Sequence, residues 1–87
     1  MFQVRLSSSA VRDLDAIPPR YAAAIVEFMF GLLADNPRRV GKPLARELEG
    51  IHSARRGDYR VLYEIHETET TVVVIRIDHR GPVYRSR

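Results

Sequence analysis

The chain contains no cysteine, which removes disulfides, thiolate nucleophiles and cysteine-based metal sites together and suits a reducing compartment. Lysine is almost as scarce: Lys42 stands alone among fourteen basic residues, the other thirteen being arginine. No apolar run approaches the ~18 residues a membrane-crossing helix needs, and the opening MFQVRLSSS lacks the basic-then-apolar order of a secretory signal. A cytoplasmic location with no membrane contact is expected. The glycines at 31, 41, 50, 57 and 81 form neither a phosphate-cradling loop nor a dinucleotide fingerprint. Ser53 lacks the flanking glycines of a hydrolase nucleophile elbow. His52, His66 and His79 are too dispersed for a metal-ligand pattern, so neither metal nor cofactor is expected.

What is present is the balance of a small globular protein, with 87 residues, 45% hydrophobic and 29% charged. A single domain over residues 1–87 follows. A domain of this size buries only about 60–65% of its unfolded surface, so its stability is modest and a partner that covers more surface matters. The net charge of +3 is unevenly spread: residues 1–37 carry three arginines against four acids, residues 38–87 eleven basic residues against seven acids. GC-rich genomes favour arginine over lysine, so this clustering is stronger evidence than the arginine count. Guanidinium groups bind phosphate through paired donors and stack on bases, which makes phosphate the expected partner of the C-terminal half.

Phe2, Val4 and Leu6 alternate with polar residues as in a short strand with one buried face. Ser7, Ser8 and Ser9 offer an N-cap, and Val11, Leu14 and Ile17 follow at helical spacing until Pro18-Pro19. Proline suits a first helical turn, so the same pair opens a second helix with the stripe Ala22, Ile25, Val26, Met29, Leu32 and Leu33, ending near Asn36-Pro37. Residues 38–50 read as a loop with one helical turn. Residues 51–56 and 59–66 flank a Gly57-Asp58 turn as a β-hairpin, and ETET at 67–70 reverses the chain into the branched run TVVVIRID. The fold class is α+β, in the order β-α-α-β-β-β, with a helix hairpin packed on one face of a mainly antiparallel sheet.

Strand parity indicates where chemistry sits. With Val61, Tyr63 and Ile65 facing the helices, Arg60, Leu62 and Glu64 face away. The same parity in the last run sets Val73, Ile75 and Ile77 inward and Val72, Val74, Arg76 and, where the strand continues that far, Arg80 outward, so that Arg60 and Arg80 would share one surface. Arg55 and Arg56 add charge in the neighbouring strand, and Tyr84 supplies an aromatic plane beyond it. Arginines with one aromatic are a common means of holding single-stranded RNA. Solvated arginines on an exposed strand are the simpler alternative. Tyr63 reads as core and Tyr59 as packing at the hairpin edge, while His79 is a minor candidate for proton transfer.

The stretches GKPLARELEGIHSARRGDYRVLYEI and VVVIRIDHRGPVYR resemble the RelE/ParE superfamily of bacterial type II toxins, and its RelE branch in particular. The likeness rests on GDYRVLY taken with Arg80 and Tyr84, and the element order extends it over nearly the whole chain. It implies a ribosome-dependent endoribonuclease that cuts mRNA in the decoding site and stops translation. In that reaction the ribose 2′-hydroxyl attacks the adjacent phosphate, giving a cyclic phosphate and a free 5′-hydroxyl. By the same resemblance Arg60 neutralises the scissile phosphate, Arg80 assists the leaving 5′-oxygen, and Tyr84 stacks on or orients the base. Arg55, Arg56 and Lys42 would contact RNA, the arginines standing where relatives have lysines. Arginine is a poor base, which leaves the proton acceptor open between Glu47, Glu49, His52 and a ribosomal group. The implied partners are a cognate RelB-like antitoxin with acidic amphipathic helices, the ribosome with mRNA, and operator DNA only through the antitoxin complex. Two other readings fit the same fold: a ParE-type toxin acting on DNA gyrase, and a non-catalytic RNA- or ribosome-binding module.

Overall fold

The computed structural model describes residues 1–79, the side chain of Glu47 excepted. Strand β1 (Gln3–Leu6) turns its half-buried Val4 and Leu6 inward and exposes Gln3 and Arg5. Ser7 then joins strand to helix. Its side-chain oxygen accepts the Ala10 N–H at 3.0 Å, capping helix α1 (Ser8–Ala16), and its hydroxyl donates to the Ile75 carbonyl at 2.8 Å. Extended backbone at Ile17 ends α1 ahead of Pro18. Pro19 occupies the first position of helix α2 (Pro19–Phe28), where its missing N–H costs nothing.

Helix α2 runs directly into a wider π-type turn, Met29–Leu33. The widening shifts the phase of the apolar stripe. Ile25, Phe28, Met29 and Leu33 are buried, whereas Val26 and Leu32, both assigned to the stripe from α-helical spacing, are exposed. The single turn α3 (Pro37–Val40) and strand β2 (Lys42–Pro43) organise part of the stretch read as loop, followed by a 3₁₀ turn, Arg46–Leu48.

Strands β3 (His52–Arg56), β4 (Tyr59–His66) and β5 (Thr71–His79) form the meander expected from sequence, with Gly57 at φ 61° in the β3–β4 turn, a conformation glycine adopts without a Cβ clash. The sheet order is β1-β5-β4-β3-β2, antiparallel except for the β1–β5 pair. The α+β architecture of a helix hairpin on one face of a mainly antiparallel sheet is therefore as the sequence indicates.

Strand β5 departs from the uniform alternation expected from sequence. Leu62 pairs with Arg76 but Tyr63 pairs with Val74, so Ile75 is an extra residue on β5. That bulge reverses the inside–outside alternation along the strand. Val72 and Val74 are fully buried and Val73 and Ile75 only partly so, the opposite of uniform alternation counted back from Ile77, which is buried as expected. The core gathers Ala10, Ile25, Met29, Leu33, Val61, Tyr63, Val72 and Val74 between helices and sheet. Each large aliphatic side chain buried there contributes about 1.5–3 kcal/mol against exposure.

Two polar contacts pin the periphery to this core. Beyond Val74, β5 has no β1 residue alongside, and there Asp13 of α1 accepts from the Ile77 N–H at 2.8 Å and from Arg76 at 2.8 and 3.1 Å. Tyr63 reaches from β4 to donate its buried hydroxyl to the Pro37 carbonyl at 2.6 Å, tying α3 to the sheet. Burial pushes the Tyr63 hydroxyl pKa up to about 12, so it stays a donor at physiological pH. Gly41 follows α3 where any Cβ would overlap that hydroxyl and come within 2.8 Å of the Ser53 carbonyl.

Candidate nucleic-acid interface

The face of the sheet away from the helices carries the charge. Because Ala54 and Val61 are buried, their neighbours Ser53, Arg55 and Arg60 point to the opposite side. The register sets Arg60 between Arg55 on β3 and Asp78 on β5, each directly opposite it. Two like charges in cross-strand register are unfavourable for the fold by a few tenths of a kcal/mol. On the other side an Asp78 carboxylate oxygen lies 3.7 Å from the Arg60 guanidinium, and the two side chains are 33% and 30% exposed.

The α3–β2 segment, held by Tyr63 and the close approach at Gly41, forms the other wall. Between it and the sheet is an open cleft of about 430 Å³ lined by Arg39, Lys42, Ser53, Arg55 and Arg60. Four cationic side chains thus converge on one concavity. Such a grouping attracts polyanions, and the guanidinium forks match phosphate oxygens in bidentate geometry.

Of the RNA-contacting candidates, Lys42, Arg55 and Arg60 are brought together here. Arg56 is not: its guanidinium lies over the Phe28 ring, 5.6 Å from the centroid, on the helix side. Arg80 and Tyr84 lie outside the described residues, as does the Glu47 side chain. His52 stacks on Tyr63 with ring centroids 5.5 Å apart, on the face opposite Arg55. Its pKa is lowered by burial, and further by the positive charge of Arg38, both of which favour the neutral ring. His79 packs against Tyr59 at 4.9 Å, again away from Arg60. Glu49 is exposed between the 3₁₀ turn and β3. Among the described residues no three His, Asp or Glu side chains are grouped to hold a metal ion.

A family model described as the ParE toxin of type II toxin–antitoxin systems, parDE, matches residues 4–84. The chain belongs to this ParE toxin family. Toxin RelG of Mycobacterium tuberculosis (strain ATCC 25618 / H37Rv) is 57% identical over 84 residues, 97% of either chain. Toxin RelE of the same strain is 51% identical over 84 residues, 97% of this chain and 87% of that one. The crystal structure of the toxin–antitoxin complex RelBE2 from Mycobacterium tuberculosis superposes with a TM-score of 0.89 at 57% identity, covering 92% of each chain. The RelE/ParE resemblance therefore holds, with a ParE description on the family model and RelE-type names on these relatives.

Within this ParE-family toxin, sequence reasoning missed two residues of the charged face. Arg39 is the third residue of the single turn α3, in a stretch with no periodic signal, and the Tyr63–Pro37 contact helps bring it over the sheet. Asp78 was legible: it lies at the outward parity between Arg76 and position 80. No helix among the described residues is long and apolar enough to cross a membrane.

Proposed function

We propose that this toxin is a ribosome-dependent endoribonuclease that cleaves mRNA in the decoding site through attack of the 2′-hydroxyl on the adjacent phosphate. The observation that carries the reading is Arg60 in the lining of a cationic cleft, in register with Arg55 and together with Arg39 and Lys42. A charge fixed beside the phosphate before reaction stabilises the anion that develops on it, and loss of one such donor costs about 10²–10³ in rate. Lys42, Arg55 and Arg39 hold the flanking phosphates. Arg80 and Tyr84, outside the described residues, take the leaving-group and base-orienting roles that the family resemblance implies.

The relative with a TM-score of 0.89 was crystallised with an antitoxin, and we take a cognate antitoxin with an acidic, amphipathic segment as this chain's partner. Such a segment would neutralise the cleft and cover surface that a small domain leaves exposed. The test is a reconstituted translation system: wild type should cut mRNA only when ribosomes are present, and Arg60→Ala should lose cutting while still binding ribosomes. The ParE description of the family model favours one rival, inhibition of DNA gyrase. A protein that stalls gyrase and leaves translated mRNA intact would establish that rival. Cutting and ribosome binding lost in equal measure would point to a binding module.

A further inference from the structure

An arginine cleft explains how a phosphate is held, but a guanidinium has no lone pair with which to take the proton of the attacking hydroxyl. A second group must take it. His52 lies on the other face of the sheet against Tyr63, and Glu49 lies in the connection before β3, in strand register with neither Arg60 nor its neighbours. Asp78 is in register with Arg60, 3.7 Å from its guanidinium, and remains a third exposed on the open face. Arg76, the preceding outward residue, is drawn to Asp13 at the sheet edge.

We propose that Asp78 is the proton acceptor of the cleavage step, an assignment that rests on the endoribonuclease reading above. Arg60 has five N–H donors in a rigid plane, enough to hold a phosphate oxygen and the Asp78 carboxylate together. The scissile phosphate and the base are then separated by about the width of one guanidinium. The 2′-oxygen forms its bond to phosphorus as its proton passes to an Asp78 oxygen. The P–O5′ bond breaks, and the 5′-oxygen leaves with the electron pair and takes a proton from water. Asp78 returns its proton to solvent, and no other reactant is consumed.

Single-turnover cleavage of mRNA programmed on ribosomes provides the test. Asp78→Asn keeps the shape and the contact to Arg60 but removes most of the basicity, and the rate should fall about 100-fold or more with ribosome affinity unchanged. Asp78→Glu should recover much of the loss, and Asp78→Ala should be partly rescued by added formate. The acid limb of the wild-type rate profile should disappear in Asp78→Asn. A residue that merely restrains Arg60 predicts otherwise: Asp78→Asn would cut as fast as wild type or faster, or would lose rate and affinity together with an unchanged pH profile. Any of those results overturns the assignment while leaving the endoribonuclease reading intact. If wild type itself cuts no mRNA on ribosomes, that reading fails and the Asp78 assignment with it.

Discussion

Replacing Gly41 by alanine should unseat the wall of the cleft. The added methyl would overlap the Tyr63 hydroxyl, lie 3.1 Å from its Cζ and come within 2.8 Å of the Ser53 carbonyl. Ser53 lies in a strand paired on both sides, and Tyr63 is fully buried and bonded to Pro37, so neither neighbour yields easily. The backbone at Gly41 has to move instead. Overpacking of this kind costs about 1–3 kcal/mol, and breaking the Tyr63–Pro37 hydrogen bond adds about 1 kcal/mol. A total of about 3 kcal/mol is a large share of the ~4–13 kcal/mol available to a chain of this length. At ~4–8 °C per kcal/mol it lowers Tm by about 12–24 °C.

Tyr63→Phe alone leaves the Pro37 carbonyl without its donor and should cost about 1–2 kcal/mol. It also removes the atom that the new methyl strikes first. The double variant should therefore be more stable than the sum of the single losses predicts, by about 1 kcal/mol. Urea and thermal unfolding followed by circular dichroism measure all three. Strict additivity, or a Gly41→Ala protein within about 0.5 kcal/mol of wild type, would refute the packing argument.

Asp13 and the cationic groups give two further outcomes. The Asp13 carboxyl is held below its ordinary value of 3.8 by the Arg76 hydrogen bond first, then by the Ile77 N–H, with burial opposing both. Its folded-state pKa is depressed, so its contribution is complete above the unfolded value and is lost as pH falls through the folded one. Asp13→Asn should cost about 1–2 kcal/mol at neutral pH, and in thermal unfolding its gap to wild type should close in acid; a gap independent of pH would contradict the ion pair. Arg39→Ala should weaken binding of a 2′-O-methyl single-stranded RNA and reduce the slope of log affinity against log salt by about 0.7. Arg56→Ala, on the far side over Phe28, should leave that slope unchanged, and an equal reduction in both would place the RNA path elsewhere.

How much of the site was legible differs residue by residue. Arg60 was legible because strand parity is local: Val61 and Tyr63 go inward, so Arg60 must go outward. Lys42 stood out only as the one exception among the arginines, and its place beside Arg55 depends on the β2–β3 pairing. Arg56 misleads because it adjoins Arg55 in sequence, yet adjacent strand residues lie on opposite faces. Asp78 keeps the simple alternation with Arg76, whereas Val72 and Val74 break it.

The amino-acid sequence by itself determined the family, the order of elements, the serine cap and proline start of the two helices, and the arginine-rich character of one half. These depend on short-range periodicity and on motif residues that a linear reading reaches. Tertiary structure alone decided three things. The bulge at Ile75 belongs to a register between two strands rather than to either strand's own pattern. The α3–β2 wall is set by a tyrosine hydroxyl reaching a carbonyl 26 residues away together with the β2–β3 pairing. The pairing of Arg60 with Arg55 and Asp78 arises only when three strands align, because cross-strand neighbours are set by long-range packing that no local pattern encodes.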